Sequence, residues 1–99
     1  MSIEHLAEIE WSAAQVARGL PSLERTTDPA WFWDDPPRTT EGWSLICAFA
    51  EPPSSQGNPS RAFVHFLMDT APHDRLYAGA LLRMFERGTR QYATVRILT

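Results

Sequence analysis

Few side chains in this chain could move protons or hold a metal: His5, His65, His73, the neighbouring Asp74, the acids Glu4, Glu8 and Glu10, and a lone Cys47. His65 and His73 with Asp74 are the candidates for a metal site or acid–base work, because imidazole is both a common ligand and a proton carrier near neutral pH. Their spacing argues against it. His65 lies between Val64 and Phe66 in a strand-like run, His73 and Asp74 follow a proline, and no i, i+4 histidine pair or third ligand accompanies them. His5, near the start of the chain, adds no ligand pattern. For nucleophilic catalysis the chain offers Ser and Thr, without a G-x-S-x-G element or an identifiable base. Glu4, Glu8 and Glu10 share one face of a strand, where a solvated row that protects an edge explains them better than a tuned carboxylate pair. Cys47, the only cysteine, excludes an intramolecular disulfide and a multi-cysteine metal site, and its place in WSLICAFA reads as a buried, inert thiol. No enzyme, cofactor or metal is expected.

The chain that carries these residues has 99 positions, 43% of them hydrophobic and 11% aromatic, enough for one domain with one modest core. Its nine basic residues are all arginine, against twelve acids, for a net charge of -3, so no overall pull toward nucleic acid or an anionic membrane is expected. Charge divides along the chain, with three arginines and nine acids in residues 1–60 and six arginines and three acids in residues 61–99. The all-arginine usage suggests a GC-rich, bacterial coding sequence. The start MSIEHLAEIEW lacks a basic segment followed by an apolar one, and the longest apolar run, LICAFA, is far too short to cross a bilayer. A cytoplasmic protein is expected.

Strands read most plainly. Trp43, Leu45, Cys47 and Phe49 alternate over residues 43–49, as do Ala62, Val64, Phe66 and Met68 over residues 62–68. Between them EPPSSQGNPS forbids regular structure and makes a loop. The closing QYATVRILT, with Ala93, Val95 and Ile97 on one face, is a third strand. Two segments are ambiguous. Leu6, Ile9, Ala13, Val16 and Leu20 have helical spacing, while residues 3–11 also alternate as a strand, with Ile3, His5, Ala7, Ile9 and Trp11 on one face. In residues 74–87, Leu76, Tyr77, Ala80, Leu81, Met84 and Phe85 form a helical stripe, and pattern alone predicts a helix there despite Gly79.

Three stretches resemble parts of a known domain. AEIEWSAAQVARGLP resembles the opening of the third domain of translation elongation factor Tu, with Arg18 and Pro21 at matching positions. DPAWFW resembles the aromatic strand that follows there, with Pro29 aligned and Trp31, Phe32 and Trp33 as its rings. GALLRMFERGTRQYATVRIL resembles the closing hairpin, through Glu86, Gly88 and Arg90. The resemblance covers most of the chain with short motifs in the right order. It implies an all-β fold, a small six-stranded antiparallel β-barrel; the alternative is α+β with a helix at 74–87. It further implies that Leu82 and Met84 point inward, that Gly88 supplies a positive φ, and that Ser12 and Gln15 form a brief capping turn. The chain departs from the pattern with Val16 and Ala17 in place of a glycine pair, Asp28 in place of an arginine, and Ala93 and Val95 near the glycines of the last strand. It has no G-x-x-x-x-G-K-[ST], so the resemblance implies a stand-alone copy of the barrel and not a translation factor.

In such a barrel, the stretch DPAWFWDDPP puts either Trp31 and Trp33 or Phe32 inside. The two tryptophans are the expected core pair; the functional alternative makes Trp33, Asp34, Asp35 and Arg38 the rim of a contact patch, since aromatic residues and arginine are enriched at binding hot spots. RNA contact would draw on Arg61, Arg75, Arg83, Arg87, Arg90 and Arg96, with Arg83 and Arg96 forming a short basic stripe if they share an outer face. The sequence therefore leads to a non-enzymatic binding module for another protein or for a second copy of itself, as a homodimer. The alternatives are an RNA- or tRNA-binding accessory of translation and a small-ligand protein using the His65 and His73 region.

Overall fold

Six segments form strands, each setting successive side chains on opposite faces of the sheet. The computed structural model describes residues 4–35, 42–86 and 90–99. Strands β1 (His5–Trp11), β2 (Arg25–Phe32), β3 (Trp43–Ala48), β4 (Ser60–Phe66), β5 (Leu81–Glu86) and β6 (Arg90–Ile97) are accompanied by two short helices, α1 (Ala13–Arg18) and α2 (Pro53–Gln56), and a 3-10 turn at His73–Arg75. Every strand pairs antiparallel with both neighbours in the order β1-β4-β3-β2-β5-β6, and β6 returns to β1, closing the sheet. This is the six-stranded antiparallel barrel. Closure gives every strand two neighbours, although β2 meets β5 only at Ala30–Phe32.

The helix read from the pattern of residues 74–87 does not form. Gly79 has φ +94°, a left-handed value that ends any helix, and residues 81–86 pair with β2 and β6 as β5. Leu82 and Met84 are fully buried, while Leu81, Arg83 and Phe85 between them face outward or lie at the surface. The helical stripe mixed residues of both strand faces with those of the preceding turn. At residues 6–20 the strand reading holds for β1 and the helical stripe does not form: only the short α1 follows, with Val16 exposed. Ser12 caps α1 by accepting the Gln15 N–H at 3.2 Å, and its own N–H donates to the Tyr92 carbonyl at 2.9 Å, which ties the turn to β6. The Gln15 side chain donates forward to Gly19 O rather than back to Ser12, so only half of a capping box is present. The second strand ends earlier than the alternation suggested, at Phe66, and Met68 is exposed in the connection beyond it. Gly88 lies outside the described residues.

The core is the barrel interior. Ala7 and Ile9 from β1, Leu45 and Cys47 from β3, Val64 from β4, Leu82 and Met84 from β5 and Val95 and Ile97 from β6 are almost wholly buried, so side chains fill the barrel as six strands require. Aromatic rings close both ends. At the end carrying α1 and α2, Trp11 stacks on Tyr92 with centroids 5.9 Å apart and lies 6.4 Å from Phe49. Trp11 Nε1 donates to the buried Ser60 hydroxyl at 2.9 Å, and Ser60 donates to Gly57 O at 2.6 Å, so this polar plug is fully satisfied. At the other end Phe32 meets Phe66 at 5.9 Å, and the long β4–β5 connection lays Ala71, His73 and Leu76 over them. This second end carries the β2–β3 and β4–β5 connections.

Candidate functional site

The aromatic strand resolves against the expected core pair. Phe32, not the tryptophans, enters the barrel beside Ala30; Trp33 is 44% exposed and Trp31 half-buried on the outer wall. The reason is register: Ala30 and Phe32 pair with Met84 and Leu82, both inward residues, so Trp31 must point out opposite Arg83. Trp31 packs there on Phe85, edge to face at 5.1 Å, and against Gly42, where a Cβ would meet its ring at 2.5 Å.

Trp33 sits just past β2, where its N–H donates to Leu81 O at 2.9 Å and extends the β2–β5 pairing by one bond. The Arg83 guanidinium lies over its ring, 4.1 Å from the centroid, and Arg83 Nε is buried without a hydrogen-bond partner, so stacking holds that side chain. Asp34 is exposed beside it. Asp35 is half-buried and accepts from Arg75 Nη1 at 2.9 Å, and the Arg75 guanidinium in turn covers Phe32 at 3.9 Å. That ion pair joins the β2–β3 connection to the β4–β5 connection. Around it opens a cleft of about 200 Å³ lined by Phe32, Trp33, Asp34, Arg75, Tyr77 and Leu81. Tyr77, 62% exposed, forms its far wall.

Three of the four residues expected in a contact patch, Trp33, Asp34 and Asp35, are thus neighbours, and Arg38 lies outside the described residues. Sequence reading missed Arg75, Tyr77 and Leu81 as part of it, because nothing local links residues 75–81 to residues 33–35; Gly79 was the available signal for a turn. Arg83 and Arg96 do share the outer face of the last hairpin, opposite Thr94 and Leu81 respectively. Each is engaged: Arg83 on Trp33, Arg96 with Glu8 at 2.8 Å. Arg90 pairs with Glu86 at 2.9 Å, Arg61 is exposed beside α2, and Arg87 lies outside the described residues.

The residues with chemical potential are dispersed. His73 Nε2 contacts the carbonyls of Met68 and Asp69 at 2.9 and 3.2 Å and its ring packs on Phe66, which makes it a pin for the β4–β5 connection. His65 is half-buried on the barrel wall with Glu4 3.9 Å away, and His5 Nδ1 lies 2.8 Å from the Thr99 carbonyl. Among the described residues, no group of three or more His, Cys, Asp or Glu side chains is placed to hold a metal ion. Cys47 is buried against Met84, Sγ to Sδ 3.9 Å, and burial pushes its thiol up to about 12, so it is neutral and unreactive at neutral pH. Burial, with the hydrogen bond given to Asp28, likewise raises the Tyr92 hydroxyl above its ordinary range.

Two larger clefts lie elsewhere on the barrel. One of about 300 Å³ on the barrel wall has exposed Phe63 with Leu6, Ala48 and Arg61; one of about 280 Å³ at the α1 end has Leu23, Thr26, Asp28 and Tyr92. Neither combines exposed aromatic rings with arginines locked in place. Fold and surface together define a closed six-stranded antiparallel barrel with a structured aromatic rim at one end. Comparison with protein-family models, curated proteins and solved structures finds no match to this chain. Among the described residues no helix is long and apolar enough to cross a membrane.

Proposed function

We propose that this chain is a non-enzymatic binding module, a barrel that docks another protein through the rim formed by Trp33, Asp34, Asp35, Arg75, Tyr77 and Leu81. The observation that carries the reading is Trp33 itself: a large ring 44% exposed, yet fixed by a backbone bond to Leu81 and by Arg83 beneath it. An exposed tryptophan that is already ordered loses little conformational entropy on binding and offers a large contact area, which is the property of a hot-spot anchor. The resemblance to the third domain of elongation factor Tu fits a barrel used as a binding surface. Arg83 and Arg96 border this rim, but Arg83 is stacked on Trp33 and Arg96 is paired with Glu8, so both are engaged within the chain and protein docking is favoured over RNA contact.

The test is a tagged pull-down at physiological salt, with and without ribonuclease, comparing the wild-type chain with Trp33→Ala and with Tyr77→Ala. Thermal unfolding checks that each variant folds, with a loss of about 1 kcal/mol expected for Trp33→Ala from the missing arginine stack. The reading expects a protein partner that survives ribonuclease and is lost with either variant. Partners that vanish on ribonuclease treatment, or that bind both variants equally, contradict it.

A further inference from the structure

The two ends of the barrel expose different chemistry. At the end of the β2–β3 and β4–β5 connections stand Trp33, Leu67, Met68, Tyr77 and Leu81, all large, apolar and exposed; the other end shows Val16 and Leu23, with Phe63 on the wall beside its β3–β4 connection. The first end also carries acids. Glu4, Asp34, Asp35, Asp69 and Asp74 lie at it, and the described arginines beside it are already engaged, Arg75 with Asp35 and Phe32, Arg83 on Trp33, and Arg96, opposite Leu81, with Glu8. Asp34, Asp69 and Asp74 are exposed carboxylates with no ion-pair partner among the described residues.

Building on the docking reading above, we infer that the partner at this end is a basic, amphipathic protein segment. Its apolar side chains lie against Trp33, Tyr77 and Leu81, and its Arg or Lys side chains meet Asp34, Asp69 and Asp74. Charge of one sign around an apolar centre selects partners more than it adds affinity, by steering the opposite charge in and repelling the same charge. A phosphate backbone and an anionic bilayer are both repelled by this rim. A second copy presenting the same end is repelled as well, so a symmetric dimer through this surface is disfavoured.

The experiment is a calorimetric titration of the full chain with a short amphipathic peptide of Leu and Arg, and with its counterpart in which Glu replaces every Arg. The Leu–Arg peptide is expected to bind, more tightly at low salt, and the Leu–Glu peptide not to bind. Replacing the three free acids together, Asp34→Asn, Asp69→Asn and Asp74→Asn, is expected to weaken binding about tenfold, a few tenths to half a kcal/mol for each exposed charge. Trp33→Ala should weaken it as well. Equal binding of the two peptides, or of the triple variant and wild type, overturns the inference. Survival of Leu–Arg binding in both Trp33→Ala and Tyr77→Ala overturns it too, since the attraction would then be to the chain's general acidity. The pull-down separates the two claims: a partner lost with Trp33→Ala but retained by the triple variant leaves the docking reading standing and removes the basic partner. A partner retained by both removes both.

Discussion

Cys47 and Tyr92 show how position within the barrel sets the chemistry of a side chain. Both ionise to anions, and burial opposes that charge in the folded state, raising the thiol to about 12 from an ordinary 9.0. In the interval between, the unfolded chain has lost the proton that the folded chain still holds, so stability is complete below pH 9 and falls as pH rises through the interval, by roughly 1.4 kcal/mol per pH unit for one group. Tyr92, raised first by burial and then by its bond to Asp28, adds to the same fall from its ordinary 10.0 upward. Urea unfolding at pH 8 and pH 10.5 should therefore show a marked loss of stability at the higher pH, and Cys47→Ala should make that loss smaller. An identical loss in the variant would mean that the thiol does not stay protonated in the fold. The inertness of Cys47 was legible in its apolar run. The exposure of Trp33 was not, because alternation fixes only that neighbours face opposite ways, and the choice of face came from the pairing of Ala30 and Phe32 with Met84 and Leu82.

Among the elements, β5 carries the sharpest lesson. Its residues and the preceding turn have helical spacing, and no local signal outweighs that pattern except Gly79. In the fold, Gly79 takes φ +94° with nothing within 4 Å of where a Cβ would lie, so Gly79→Ala meets no neighbour and its cost is the backbone conformation alone. We expect it to lower stability by about 1 to 2 kcal/mol, whereas within a helix the same change would raise stability by about 1 kcal/mol. The sign of the shift in unfolding midpoint decides between the two. Strands β3, β4 and β6 were readable because each sends every second side chain into the core, Leu45 and Cys47, Val64 and Phe66, and Val95 and Ile97, although Ile46 is buried on the other face of β3. Strand β2 was less so: its inward positions at the α1 end are Thr26 and Asp28, polar residues at a barrel mouth, where Asp28 is held by the Tyr92 hydroxyl. The rim was the least legible part. It joins residues 33–35 to residues 75–81 through one ion pair, a contact that no local pattern encodes.

At the scale of the whole molecule, closure of the sheet gives every strand two neighbours, and surface function is left to the barrel wall and the two ends. One end is plugged by a satisfied network of Trp11, Ser60, Asn58 and Tyr92. The other is roofed by the β4–β5 connection, with arginines stacked on Phe32 and Trp33 and acids beside them. The central claim is that this second end is where a partner docks. The most direct test replaces Tyr77, 62% exposed at that end, or Val16, 46% exposed on α1 at the other, with a photo-crosslinking amino acid and identifies adducts formed in intact cells. The account predicts a discrete protein adduct from position 77 that disappears when Trp33→Ala is added, and none of comparable yield from position 16. An adduct from position 16 alone, or one at position 77 that is indifferent to Trp33, would contradict it.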